Sequence, residues 1–394
     1  MAAVTRPSAA SSTTWPLLIA ASVASAQPTT APADPVVAHF REYRAALARD
    51  DLPAAEAAAA AALAASEAAR GQRTAVLALN LAALRLELGL PYDALTPART
   101  AHALATGADS GIDPRAAALT LGRAEIAAGD AAGSARLLEA FTASESDAAL
   151  ENDVYNGAVE LGTWSLEAKE YDVARRAWAS AARLARTAHD PAFACARALT
   201  AEGAAIFLAD NDRTALPPAG QNRALTAADA KAASDAFVVA QRLLLPAAFA
   251  ENPSARPTAG QFAYAEAMAW QSALLAKIEI DGEELPAAPV LGNDIPPFDN
   301  NGACKMHVRR DGAEISYPPE ALSRYGVGAV VLHMGLDASG AVTGRTIAAA
   351  IPPGVLADAV EAVANEWRVE RDPSSPAGCR VPSSAYVNIR FVLE

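Results

Sequence analysis

Five histidines, His39, His102, His189, His307 and His333, are the side chains of this 394-residue chain best suited to metal binding or proton transfer, and they are scattered. None forms a His-x-x-x-His pair or joins a carboxylate cluster at metal-ligand spacing, so catalytic zinc is not expected. The acidic pairs Asp50-Asp51 and Glu283-Glu284 stand in turn and linker surroundings, where solvated charge is the default. Ser383-Ser384 has neither a Gly-x-Ser-x-Gly elbow nor a recognisable base. Gly326-Val327-Gly328 lacks the third glycine of a dinucleotide loop and precedes a strand, which makes it a turn. The three cysteines, Cys195, Cys304 and Cys379, form no Cys-x-x-Cys motif, so zinc and thioredoxin-like redox chemistry have no support. The expectation is a non-enzymatic protein without cofactor or metal. A hydrolase whose site is assembled only by the fold is the alternative.

The elements that would position a binding residue are clearest at the C-terminal end. Tyr317-Pro318-Pro319-Glu320-Ala321 opens a short helix, because proline fits a first helical turn and pushes the residue before it extended. Ala329 to Leu336 is a β-branched apolar run, Asp337-Ala338-Ser339-Gly340 has turn chemistry, and Val342 to Ala349 has strand character, which together predict a hairpin. Leu356, Val360, Val363, Ala364 and Trp367 then recur at the spacing of a helix with one buried face. Tyr386, Asn388, Arg390 and Val392 alternate with Val387, Ile389, Phe391 and Leu393, predicting a last strand with one apolar face. Trp367 and Phe391 are expected in the core.

In this order the motifs Tyr-Pro-x-x-Ala, Gly-x-Val-Val, Asp-x-x-Gly-x-Val, Pro-Gly-x-Leu, Trp-Arg and Phe-x-Leu resemble the TonB C-terminal domain. The resemblance covers about a fifth of the chain, within residues 301–394. It implies a small α+β module that catches a segment of an envelope protein, such as an outer-membrane receptor, by strand addition. Tyr386, Asn388 and Arg390 lie on the strand expected to offer an edge, and Tyr317-Pro318 would help position that face.

From about Val36 to Lys277 the chain repeats helical hairpins at roughly 36 to 40 residues, a period typical of a solenoid. Leu161, Gly162, Tyr171, Ala174, Trp178 and Ala181 resemble the tetratricopeptide (TPR) repeat, with small residues where helices touch and aromatics in the gaps. Leu121-Gly122 with Gly129, and Gly89 with Ala94, Ala98 and Ala101, are degenerate copies. Residues 191–209 pair with 226–246 across a polar insertion, Asn211 to Asn222, and Gln261 to Lys277 is expected to cap the stack. The predicted fold class is α + β multidomain: a TPR-like all-α superhelix over 36–277, a linker over 278–300 that spans at most about 75 Å, and the TonB-like module over 301–394. Beyond the leader, no further span is expected to be long and apolar enough to cross a membrane.

Residues 1–26 look like a secretory signal, with Arg6, an apolar Leu17 to Val23, and Ala24-Ser25-Ala26 before Gln27; residues 27–35 are a short leader. The apolar run is far below the roughly 18 to 20 residues needed to span a bilayer. In an exported protein Cys304 and Cys379, which bracket the C-terminal module, could close a loop of about 75 residues, for roughly 4 kcal/mol before strain. Cys195 sits in an Ala-rich stretch and is expected to be a small core residue. Net charge is −13, and residues 301–394, with nine Lys plus Arg against ten Asp plus Glu, carry only −1 of it. An acidic helical part repels phosphate and argues against nucleic acid or anionic lipid as partner. The expected function is a periplasmic protein–protein adaptor in a Gram-negative bacterium. An energy transducer anchored in the inner membrane through residues 1–26 is the alternative, and a homodimer through paired edge strands is a further expectation.

Overall fold

The computed structural model describes residues 34–69, 71, 73–107, 110–130, 132–144, 150–211, 225–248, 257–281, 306–310, 315, 327–364, 367–376 and 383–392. The signal segment, Tyr317-Pro318, Cys304, Cys379 and most of the expected linker lie outside them. Two compact units divide between Trp164 and Ser165.

The helical part runs through α1 (Pro35–Leu47), α2 (Leu52–Ala68), α3 (Thr74–Glu87), α4 (Pro91–Ala105), α5 (Pro114–Ala127), α6 (Ala132–Ser144), α7 (Glu151–Glu167), α8 (Tyr171–Leu184), α9 (Pro191–Asn211), α10 (Ala227–Ala248) and α11 (Ala259–Asp281). Asp-Pro opens three of these helices. The carboxylates of Asp34, Asp113 and Asp190 accept hydrogen bonds from the N–H groups of Val36, Arg115 and Phe193 at 3.0, 2.8 and 3.1 Å. Proline follows at the first helical position, where no N–H is required.

One turn recurs along the array. Asp50, Gly89, Gly129 and Lys169 have φ of 57°, 70°, 82° and 63°, at intervals of 39, 40 and 40 residues. After each, the next residue's N–H reaches back five positions: Asp51 to Ala46 O, Leu90 to Arg85 O, Asp130 to Glu125 O and Glu170 to Ser165 O, at 2.8–3.0 Å. This left-handed helix stop satisfies carbonyls that the helix end would otherwise leave open. It gives the repeat a physical period.

Small residues set how closely the helices approach. Ala78, Ala82, Ala94, Ala98, Ala101, Ala117 and Ala124 are all buried. A Cβ on Gly133 would stand 2.8 Å from the carbonyl oxygen of Gly122, so α5 and α6 cross backbone to backbone.

In the unit beginning at Ser165, α9 meets the length and apolarity of a membrane span, correcting the expectation that no such segment exists beyond the leader. Half of that stretch is buried, and α9 packs against α8, α10 and α11, as a core helix does. α11 has buried residues on every side: Ala263, Tyr264, Ala265, Ala267, Ala269, Ala273, Leu274 and Ala276 are all buried. A helix of that kind must be covered all round. α9 and α10 cover it on one side, and a β-sheet covers it on the other.

That sheet contains β2 (Val327–Leu336), β3 (Val342–Ile351) and β5 (Ser384–Val392) in the antiparallel order β3-β2-β5. β1 (Met306–Arg310) and β4 (Trp367–Arg371) form a second antiparallel ladder, and α12 (Val355–Val363) lies between β3 and β4 in the chain. The hairpin and last strand match the periodicity reading, but the helix ends earlier than expected. Trp367, read as helical, begins β4, because Trp367 and Val369 alternate inward while Arg368 is exposed. β1 and β4 were not anticipated.

The central strand β2 is buried on both faces. Val330, Leu332 and Met334 pack with Leu356, Val360, Trp367, Val387, Ile389 and Phe391 on the α12 side. Val327, Ala329 and Val331 join the cluster containing Ala269, Ala273 and Leu274 on the α11 side. The β2–β3 turn is tied to β4, since Val369 N–H donates to Gly340 O at 2.9 Å. Gly340 has φ 83°, and a Cβ there would meet Val369 O at 1.8 Å, so only glycine fits.

Candidate docking site

β5 carries three of the residues expected to meet a partner, and their side chains face α11. The Tyr386 ring stacks edge-on to Tyr264, with centroids 5.4 Å apart, and its hydroxyl donates to Ala248 O at 3.2 Å. Asn388 Nδ2 donates to Ser272 Oγ. Arg390 stands 3.7 Å from Glu279 across exposed surface, a pair of small energetic weight. Burial pushes the phenol pKa of both Tyr264 and Tyr386 well up, and for Tyr386 the nearby Tyr264 adds to the shift, so both remain neutral. The neighbouring side chains of β5, Val387, Ile389 and Phe391, are buried under α12. Both faces of the strand are therefore committed within the chain.

What β5 leaves open is an edge. One side pairs with β2 from Val327↔Val392 to Gly335↔Ser384, and among the described residues no strand lies on the other side. Main-chain donors and acceptors on such an edge can receive an extended segment.

The TPR-type positions are divided between the two units. Leu161 and Gly162 lie on α7 ahead of the division; Tyr171, Ala174, Trp178 and Ala181 lie on α8 after it. Leu161, Tyr171, Ala174 and Ala181 are buried, whereas Trp178 is half-buried with its indole N–H enclosed and lacking an acceptor. Cys195 is a free, half-buried thiol on α9 whose pKa burial raises.

In the first unit a charge cluster spans α3, α5 and α7. Arg123 binds Glu160 through two hydrogen bonds of 2.9 and 2.8 Å. Burial acts to lower the Arg123 pKa, but Glu160, Asp153 and Glu87 outweigh it and hold the guanidinium charged. Burial raises the pKa of Asp153 and of Glu87. The arrangement ties first helices of successive hairpins together, which is a structural task. In the second unit a cavity of about 350 Å³ is lined by Tyr171, Asp172, Arg175, Asp210 and Asp229, with Arg175 paired to Asp229 at 3.1 Å. No group of His, Cys, Asp and Glu able to hold a metal occurs among the described residues.

Sequence reasoning missed Tyr264, Ser272 and the Ala248 carbonyl as the groups that meet β5. A signal for them was present: a capping helix needs one continuous polar face, and the polar residues of α11, Gln261, Glu266, Gln271, Ser272, Lys277 and Glu279, are spread round the helix.

Residues 313–393 match the family model described as Gram-negative bacterial TonB protein C-terminal, a range that takes in β2 to β5 and α12. Domains of this family interact with outer-membrane and other envelope proteins. No curated protein matches the chain.

Proposed function

We propose that this protein is a non-enzymatic adaptor of the Gram-negative periplasm, with a TPR-like helical array as scaffold and the TonB-type module as the site that captures a partner segment. The observation that carries the reading is that, among the described residues, no strand pairs with the outer edge of β5, a strand whose side chains are already engaged on both faces. Such a strand offers its main chain, and an extended peptide of an envelope protein adds to it as a further strand. Tyr386, Asn388 and Arg390 then act indirectly, by holding the strand flat against α11. Tyr317-Pro318, a Cys304–Cys379 disulfide and a signal peptide over residues 1–26 remain part of the proposal.

The test is amide hydrogen exchange of the full chain with and without a receptor-type envelope peptide. Strand addition slows exchange at those β5 amides that do not pair with β2, while β3 is unchanged. Binding that protects only helices would overturn it. The transport-linked alternative, an energy transducer, uses the same edge but requires a membrane anchor. Mass spectrometry of the mature N-terminus separates the two, since a chain starting at Gln27 lacks the anchor.

A further inference from the structure

We propose that the contact between α11 and the sheet is an acid-sensitive latch whose sensing group is His333. The imidazole lies on β2 opposite Tyr386, with ring centroids 5.0 Å apart, inside the joint that Tyr386 closes onto Tyr264 and the end of α10. Its Nε2 is buried and has no hydrogen-bond partner.

Among the described residues, the groups facing it offer nothing to balance a positive charge. From β5 and α11 they are the phenols of Tyr386 and Tyr264, both held neutral by burial. From β3 it is Thr346, the residue across the ladder. Arg345 pairs with Met334, whose side chain lies on the α12 side, and Arg390 with its partner Glu279 sits four residues further along β5. The end of α10 contributes the Ala248 carbonyl, which Tyr386 already occupies. Among the described residues no carboxylate acts on the imidazole, and burial alone holds its pKa below the ordinary 6.5.

The sign follows from linkage. Undocking exposes His333 and restores its ordinary pKa, so the open state binds the proton better than the docked one. Docking is at full strength above pH 6.5, weakens as pH falls below that value, and stops weakening below the depressed pKa of the docked state. The latch rests on this internal joint and not on peptide capture at β5, so either can fail alone.

Amide hydrogen exchange on the full chain, corrected for intrinsic rates, tests it between about pH 7.5 and about pH 5. Protection in α11 and β5 is expected to fall by up to about tenfold for each unit by which His333 is held below its ordinary value, with α3 to α5 as the unresponsive control. His333→Gln and His333→Phe are each expected to flatten that response; having two variants guards against one failing to fold. An NMR titration of the wild-type imidazole supplies the direct value. The proposal is overturned if α11 and β5 respond no more than the control, if a folded His333 variant keeps the wild-type response, or if the imidazole titrates at or above 6.5.

Discussion

Across the three-stranded sheet, the face beneath α12 is closed by Val330, Leu332, Met334, Val387, Ile389 and Phe391, whereas the face beneath α11 mixes Val327, Ala329 and Val331 with His333, Tyr386 and Asn388. The first is an apolar core that belongs to the module itself, with Arg345 of β3, across the ladder from Met334, as its polar exception. The second resembles an interface, with an apolar centre and polar groups that need specific partners. The contrast teaches that a half-polar strand face does not by itself mark an external binding surface. Here Tyr386, Asn388 and Arg390 meet Ala248, Ser272 and Glu279 on helices of the same chain, and among the described residues what the strand leaves open is its outer backbone edge.

The contrast sets an order of mutational cost. Phe391→Ala, on the α12 face, is expected to remove about 3–5 kcal/mol from the C-terminal unit, read as a lower urea midpoint. A cost under about 1 kcal/mol would mean that this face is not the core. Gly340→Ala combines a left-handed φ with a clash against Val369 O and is expected to cost at least about 1–3 kcal/mol, loosening the link between the β2–β3 turn and β4. On the α11 face, Tyr386→Phe removes one hydrogen bond to Ala248 O and is expected to cost about 0.5–1.5 kcal/mol. Its effect on hydrogen exchange should be confined to α11 and the end of α10; a loss spread through β2 and β3 would blur the distinction between the faces. Arg390→Ala breaks an exposed pair and should shift stability by less than about 0.5 kcal/mol in thermal denaturation.

Much of the module was legible because its own core obeys strict periods. Val387, Ile389 and Phe391 alternate cleanly, and the Asp337–Gly340 turn separates two runs that pair as a hairpin. β4 was hidden by coincidence, since Trp367 also satisfies the i+11 spacing from Leu356. Among the repeated turns, Gly89 and Gly129 announce a left-handed residue, but Asp50 and Lys169 adopt the same conformation without glycine. Period 2 shows that Tyr386, Asn388 and Arg390 share one face of β5. It carries no information about what that face meets, because the answer lies more than a hundred residues earlier, on α11. The clue lay in the pattern of α11, whose polar residues gather on no single face that could end a stack in water.

The docking of the sheet on α11 is most directly tested by a thiol cross-link. Cys195, Cys304 and Cys379 are replaced by alanine, and Ser272→Cys is combined with Asn388→Cys, whose native side chains share a hydrogen bond. A short bifunctional thiol reagent should join the pair to near completion in the full chain, while Ser272→Cys with Asp358→Cys, on the exposed side of α12, should not react. Equal cross-linking of both pairs, or none of the first, would contradict the account.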